Sequence, residues 1–438
     1  MKWDQIHTAE EMEDALDREI QNTRVHRFRI RLIDALGAPL RGLSIRAVHK
    51  NHDFVFGVCP NGHISMTNRL ACGESRDAEV YWERIGDVFN ATTLWWGWKV
   101  LEPDQAVWTF DGEVHGFGPM ERMVERAELL NHRITAHAIL YPREDLSPQW
   151  LSSCGEQEAF RALEEHVKKT VDRYKNRISC WHPVNEAYHD IQQVGGLRIK
   201  EGIVYRWIGD MAPHADLVDN GGYTIDLDFY KKGIESAEHF GGRVDDLGVR
   251  GYFELYNSEA LSFYRSLWEH YGNLADRYGK GVRMTEIGAT SAPRKGAYSP
   301  WDVDPSTAQQ LGISNFEEYR EGQPITEETQ ATFLIRMYKL AFAHPAVKEC
   351  SYWDICDTYT WNQVEGGILR ADLSPKPAYE QLKTLIRDTW NTQTDAESDA
   401  DGLCTFSGFD GEYEITLRGE SFRLHLNEGT PDQVLCVG

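Results

Sequence analysis

The sequence predicts an α/β protein built on a (β/α)8 TIM barrel, and three observations predict it. From about Phe54 onward, short apolar runs alternate with longer stretches of helical periodicity. The apolar runs are continuous rather than alternating, as expected of strands buried on both faces of a parallel sheet. Their number is eight, the count of strand–helix units that closes such a barrel.

At the N-terminus, Thr8-Ala9-Glu10-Glu11 has the pattern of a capping box and opens a helix toward about Thr23. Phe28 to Ile33 and Leu43 to Val48 read as strands, with Leu-Gly-Ala-Pro as turn material between them. The eight barrel strands are expected at Phe54–Cys59, Phe89–Leu94, Ile134–Leu140, Ile178–Val184, Ala215–Asp219, Leu247–Tyr252, Val282–Ile287 and Glu349–Asp354. Helical patterns fall between them at Met120–Asn131, Ala159–Tyr174, Leu227–His239, Ala260–Tyr278 and Glu327–Ala343. The rhythm ends near Trp390. Thr392 to Asp401 is polar and acidic and reads as a linker. Leu403–Phe406, Tyr413–Leu417, Ser421–Leu426 and Val434–Val437 then alternate like short strands. The expected organisation is an N-terminal helix and β-pair over residues 1–50, the barrel over 51–391, and a linker with a small C-terminal β-unit over 392–438.

Composition narrows the function. Of 438 residues, 41% are hydrophobic, with 14 Trp, 19 Tyr and 17 Phe, enough to fill a large core. No run of about 18 apolar residues occurs, so no membrane-spanning helix is expected. A net charge of −23 repels phosphate backbones and argues against nucleic acid. It also disfavours polyanionic substrates, which only a local basic cleft would override. The eight cysteines are scattered, with no Cys-x-x-Cys pair to hold zinc. Met1 to Glu13 is polar and acidic and lacks an apolar leader. Free thiols in a cytoplasmic, reducing compartment are the simplest account. A secreted chain trimmed of its leader would read the same.

In a barrel of this kind, chemistry sits at the C-terminal ends of the strands. Two such ends carry a Glu after a polar residue: Trp181-His182-Pro183-Val184-Asn185-Glu186 on the fourth strand and Met284-Thr285-Glu286-Ile287 on the seventh. Those strands face each other across the mouth. Two facing carboxyl groups about 5–5.5 Å apart are what a retaining glycosidase needs. One attacks the anomeric carbon; the other protonates the leaving oxygen and then activates water. Asn185, beside the first, suits a hydrogen bond to the sugar 2-hydroxyl. A lone Glu at a strand end is more often a helix cap or a solvated loop residue, so the pairing carries the reading.

These residues resemble glycoside hydrolase family 10, the endo-β-1,4-xylanases, over about Gly57 to Leu385. Trp181–Ala187 is similar to that family's Trp-Asp-x-x-Asn-Glu-Ala segment, and Thr285-Glu286 to its Thr-Glu-Leu-Asp segment. The resemblance implies that Glu186 is the general acid/base and Glu286 the nucleophile. His137-Ala-Ile-Leu-Tyr-Pro sits where the family has His-Thr-Leu-x-Trp-His, so it implies sugar contacts for His137 and Tyr141. Ala343-His-Pro-Ala-Val-Lys-x-x-x-Tyr-Trp-Asp and Ser374-Pro-Lys-Pro-Ala-Tyr match the eighth strand and closing helix. Trp353 and Trp361 fall near two cleft tryptophans.

Departures from the pattern are as informative. Where the family has Glu-Asn-Glu-Met-Lys-Trp to hold the distal sugar, this chain has Thr93-Leu94-Trp95-Trp96-Gly97-Trp98. Where it has Gly-Ile-Gly-x-Gln-x-His, this chain has Leu247-Gly248-Val249-Arg250-Gly251-Tyr252. Pro142 replaces a further cleft His. The expected activity is a xylanase-like retaining hydrolysis with an altered glycone subsite.

Trp95, Trp96 and Trp98 supply aromatic faces on which sugars stack. Three Trp in four positions cannot all face one way, so at least one belongs to the core. Arg250 is a cation that could pair with Glu286 or another acid, and beside Glu286 it would keep the nucleophile ionised. Tyr252 could hydrogen-bond the same group. Asn220 and Tyr223 lie where the family has an Asn-Asp-Tyr-Asn run. His182, Glu186 and His189 invite a metal reading, yet the spacing departs from His-Glu-x-x-His and Pro183 breaks the helix it would need. A carbohydrate substrate, no metal and no cofactor are expected. The long segment Gly288 to Pro324, rich in Pro, Ser, Gly and Asp, is expected to shape one side of the cleft. The other readings are a non-catalytic carbohydrate-binding barrel and a metal-dependent hydrolase.

Overall fold

The computed structural model describes residues 1–60, 68–187, 192–194, 197–199, 201–222, 227–253, 257–293, 324–360 and 364–437. Its centre is a closed barrel of eight parallel strands: Val55–Val58, Ala91–Trp95, Arg133–Leu140, Cys180–Val184, Asp216–Gly222, Asp246–Phe253, Gly281–Ala289 and Val347–Tyr352. The last strand closes on the first, with Cys350 beside Phe56 and Tyr352 beside Val58. Every barrel strand overlaps the run expected from the sequence, because continuous apolar runs of this length can only be buried on both faces.

The helices pack outside the barrel with one apolar face inward. Glu156–Tyr174 buries Ala159, Leu163, Val167 and Val171, and Leu261–Tyr278 buries Phe263, Leu267, Tyr271 and Leu274. These are the spacings of three and four that one helix face presents. The first helix, Ala9–Arg24, begins with the capping box read from the sequence: Glu11 N donates to Thr8 Oγ1 at 3.1 Å, and Thr8 N to Glu11 Oε2 at 3.2 Å. Its Met12, Leu16 and Ile20 are buried, and it packs on Glu327–Ala343. Among the described residues no helix is long and apolar enough to cross a membrane. Cys72, Cys154, Cys180, Cys350, Cys356, Cys404 and Cys436 are free thiols.

The two ends of the chain, which the sequence separated into units at 1–50 and 392–438, form one β-module. One sheet runs Leu403–Phe409, Val25–Ile33, Gln433–Cys436; the other runs Gln393–Glu397, Ser44–His52, Gly411–Leu417, Glu420–Leu426. Phe28, Ile30, Leu32, Ile45, Ala47, Phe406, Tyr413, Ile415 and Leu417 fill a core of their own between the sheets. The stretch read as a linker contains the strand Gln393–Glu397, paired antiparallel with Ser44–His52. It lies at a sheet edge, where polar side chains are favoured and an apolar run is not required. The sequence signal for a strand was absent for that reason.

Candidate active site

At the C-terminal mouth, the barrel brings residues of six strands to one point. The fourth strand ends in Asn185 and Glu186. Asn185 N donates to Leu140 O at 2.9 Å and Glu186 N to Asn220 O at 3.2 Å, which fixes this strand end between its neighbours. Glu186 itself has φ 51°, a left-handed conformation that a non-glycine residue adopts only when its surroundings hold it there. The turn aims its carboxylate inward, where its two oxygens have different partners. Tyr141 OH donates to Oε2, and Arg250 Nη1 donates to Oε1.

Glu286, on the seventh strand, is 5% exposed. Tyr252 OH donates to its Oε2 at 2.5 Å and Asn220 Nδ2 to its Oε1 at 2.8 Å. The same Arg250 Nη1 lies 4.0 Å from Glu286 Oε2, so one guanidinium nitrogen sits against both carboxylates. Its closer partner is Glu186, not the nucleophile candidate that the sequence reading favoured. Burial pushes the Glu286 carboxyl above its ordinary value, while Arg250 and the Tyr252 hydrogen bond pull it back.

Asn220 is the hub that sequence reasoning undervalued. Its amide nitrogen donates to both Glu286 and Asn185 Oδ1, each at 2.8 Å, and its oxygen accepts from Thr285 Oγ1 at 2.6 Å. Both amide hydrogens and the carbonyl are therefore used. Gly248 on the sixth strand makes the room, since a Cβ there would fall 2.4 Å from Asn220 Oδ1. The available signal was the position itself, the C-terminal end of the fifth strand.

His137, on the third strand, is fully buried. Its Nδ1 is 2.8 Å from His182 Nδ1 and its Nε2 is 3.7 Å from Glu286 Oε1. Burial pushes His137 well below its ordinary pKa, with His182 and Arg250 adding to the effect. Burial also brings His182 down to about 3. Two neutral imidazoles thus share one proton between their Nδ1 atoms, and His182, weighed as a metal ligand, is the partner that orients His137. Trp353, after the eighth strand, sets its ring edge-on to His137 at 4.8 Å.

The tryptophan run divides. Trp96 is fully buried against Tyr174 and Trp181, with ring centroids 4.7 and 6.0 Å away. Trp98 stacks on His166 at 4.9 Å and donates its indole N–H to Glu102 Oε2 at 3.0 Å. Both are core residues behind the barrel, which corrects the expectation that they face sugar. Trp95, at the end of the second strand, packs its ring so close to Gly97 that a Cβ there would meet it at 2.3 Å. Trp361, Tyr223 and His189 lie outside the described residues, as does 294–323 of the long loop after the seventh strand.

Residues 68–212 match the family described as Glycosyl hydrolase family 10. The chain is 22% identical over 435 residues to an anti-sigma-I factor, RsgI6, of Acetivibrio thermocellus, covering 95% of this chain and 49% of that protein. It is 22% identical over 336 residues to endo-1,4-beta-xylanase B of Thermotoga neapolitana, covering 71% of this chain and 85% of the enzyme. The chain thus spans about half the length of the first relative and most of the second. Among solved structures it resembles native xylanase 10B from Thermotoga maritima, with TM-score 0.55, 21% identity, and coverage of 77% of this chain and 96% of that one. Xylanase 10B from Thermotoga petrophila in complex with xylobiose gives TM-score 0.53 at 18% identity, covering 88% and 98%.

Proposed function

We propose that this chain, a divergent member of glycosyl hydrolase family 10, hydrolyses a β-glycosidic bond by double displacement. One observation carries the reading: carboxylates from the fourth and seventh strands converge on a single guanidinium nitrogen at the barrel mouth. Glu286 is the nucleophile. Tyr252 and Asn220 fix one oxygen each, leaving the carboxylate with a single orientation toward the anomeric carbon. Glu186 is the acid/base group. Asn185, whose carbonyl is fixed by Asn220, offers its amide N–H to the sugar 2-hydroxyl, a contact that strengthens as the transition state develops. His137, Tyr141, Trp95 and Trp353 border the reacting sugar.

The glycone side is rebuilt relative to xylanases. Thr93-Leu94-Trp95-Trp96-Gly97-Trp98 places no carboxylate where those enzymes bind the distal sugar, and two of its tryptophans are core. The substrate is therefore a β-linked glycan recognised more by aromatic surface than by polar contacts on that side. Glu286→Ala should abolish cleavage of a β-aryl glycoside, and azide should restore turnover as the inverted glycosyl azide. Full activity in that variant would remove Glu286 from the nucleophile role.

A second reading, prompted by the likeness of 95% of this chain to 49% of a protein named as an anti-sigma-I factor and not as an enzyme, is a barrel that binds glycan without turning it over. Glycan binding with no hydrolysis of any aryl glycoside in a broad panel would select it.

A further inference from the structure

The foot of the barrel, at the opposite end from Glu186 and Glu286, holds a cavity of about 320 Å³ whose lining includes Arg24, Arg133, Arg283, Lys348, Asp53 and Asp216. Four cations thus meet two acids there, in a protein whose net charge is −23. The cations are not equivalent. Arg283 commits each of its nitrogens to a carboxylate, Nε to Asp246, Nη1 to Glu349 and Nη2 to Asp216. Lys348 Nζ donates to Asp246 Oδ1 at 2.6 Å. Arg24 and Arg133 have no such partner: among the described residues no carboxylate oxygen lies within 4.0 Å of either. The two lining acids are already engaged, Asp216 by Arg283 and Asp53 by His425 at 2.7 Å.

Both arginines cap backbone carbonyls instead. Arg24 Nε donates to Phe342 O at 2.6 Å, and its Nη2 to His344 O and Val347 O, each at 2.7 Å. Arg133 Nη1 donates to Asp53 O at 2.7 Å, and its Nη2 to His52 O at 2.5 Å and Phe54 O at 3.1 Å. A guanidinium has five N–H donors, so each arginine keeps two that no described residue accepts. On Arg24 they are those of Nη1; on Arg133 they are one on Nη1 and the buried Nε–H. Capping carbonyls needs donors, not charge, and a cation buried without a counter-charge is costly. Burial accordingly brings Arg24 down to about 10 and holds Arg133 below its ordinary value, with Asp410 and Asp53 offsetting this only in part.

We propose that Arg24 and Arg133, with the half-exposed Lys348 at the rim, form a binding site for a phosphate group, carried by the free ion or by a small phosphate monoester. The donors reach the cavity from separate elements: Arg24 from the end of the first helix, Arg133 from the start of the third barrel strand and Lys348 from the eighth. A planar carboxylate matches a single guanidinium fork. A tetrahedral phosphate turns a separate oxygen toward each cation, and so fits this arrangement better. The site also spans both early crossings of the chain between barrel and β-module. Arg24 closes its helix directly before the strand Val25–Ile33, and Arg133 caps residues 52–54 between Ser44–His52 and Val55–Val58. An anion held by both arginines ties the module to the barrel, and its binding adds to the stability of the folded chain. The site does not depend on the chemistry at the mouth.

The test is calorimetric titration of the full chain with inorganic phosphate, glycerol 3-phosphate and succinate at constant ionic strength, with chloride as the control and the melting temperature followed in parallel. Wild type should bind one phosphate per chain, and its melting temperature should climb with phosphate but not with chloride. Arg24→Gln and Arg133→Gln each keep an amide donor for the carbonyls and lose the charge. Each should weaken phosphate binding by about 10- to 100-fold, the scale of one hydrogen bond between charged groups. Wild-type crystals soaked in arsenate, which has the shape and charge of phosphate, should give an anomalous peak between Arg24, Arg133 and Lys348. That measurement decides the matter even if neither variant folds. Tighter binding of glycerol 3-phosphate than of phosphate assigns the site to a monoester, and equal or weaker binding to the free ion. No binding beyond that of chloride, succinate bound as tightly as phosphate, unaltered affinity in both variants, or arsenate only elsewhere overturns the proposal.

Discussion

The barrel holds a buried arginine among carboxylates at each end, and the two clusters are built to opposite purposes. At the base, Arg283 donates to Asp246 Oδ2 at 2.8 Å, to Glu349 Oε2 at 3.3 Å and to Asp216. Lys348 adds a second cation on Asp246 at 2.6 Å. Burial opposes the Arg283 charge, yet the surrounding acids hold its pKa well above the ordinary value. Asp246, despite its burial, is held below its own by Arg283 and Lys348. Arg24 and Arg133 line the same end and cap backbone carbonyls of residues 342, 344, 347 and 52–54. At the base Arg283 and Lys348 hold three carboxylates between them, with Arg24 and Arg133 adding two more cations at that end. At the mouth two carboxylates share one guanidinium, which favours Glu186 and leaves Glu286 raised. A charge surplus that cannot be satisfied internally is what a reacting sugar can use. One that is satisfied only ties strand ends together.

Four substitutions or conditions break this comparison in order of effect. Glu286→Ala should lower kcat/KM by ~10⁴-fold or more, the scale of removing a covalent nucleophile, while the melting temperature stays level or rises because an acid whose burial disfavours its charge has gone. A fall in stability would make Glu286 structural, like the base acids. Arg283→Ala should do the reverse. Removing one partner of a buried ion cluster costs about 3–5 kcal/mol, seen in denaturant unfolding, with kcat/KM of the folded fraction unchanged. Loss of activity without loss of stability would mean that the base is not merely a brace.

Tyr252→Phe removes one donor from Glu286 without opening a cavity. A hydrogen bond to a charged group contributes about 1.5–3 kcal/mol, so kcat should fall by about 10- to 100-fold with KM little altered. A change confined to KM would place Tyr252 on the substrate instead. The smallest effect per step is that of pH. Burial brings His49 down to about 4 and His132 and His182 to about 3. Their folded values lie below the unfolded one of about 6.5. The neutral form is therefore favoured by folding, and the stability this contributes is complete above pH 6.5. It is lost as pH falls from there through the folded values, by about 1.4 kcal/mol per unit for each such residue. Chemical denaturation from pH 7 to pH 4 should show that decline. Unchanged stability over that interval would mean that these imidazoles already charge in the folded state.

Much of the fold was legible in local pattern. The capping box at Thr8 and Glu11, the eight apolar runs and the helix Glu327–Ala343 stand where the sequence puts them, since each depends on neighbours within one or two turns. The edge strand Gln393–Glu397 was not legible, because its partner Ser44–His52 is supplied from the other end of the chain. At the mouth, Glu186 and Glu286 were legible from their places on the fourth and seventh strands. Asn220 and His182 were underread, as their hydrogen-bond partners lie 35 to 66 residues away.

The sequence by itself determined the barrel, its acidic surface and the two carboxylates, because periodicity and strand order are properties of short stretches. Only the tertiary structure decided that Trp96 and Trp98 face the core, that the chain ends share one β-module, and that Arg250 sits on Glu186 rather than Glu286. Strand direction alone does not say which way a side chain turns. The closing of the barrel sets which long side chains from the third, fourth, sixth and seventh strands meet, and in a space of a few ångströms it decides which carboxylate the guanidinium reaches first.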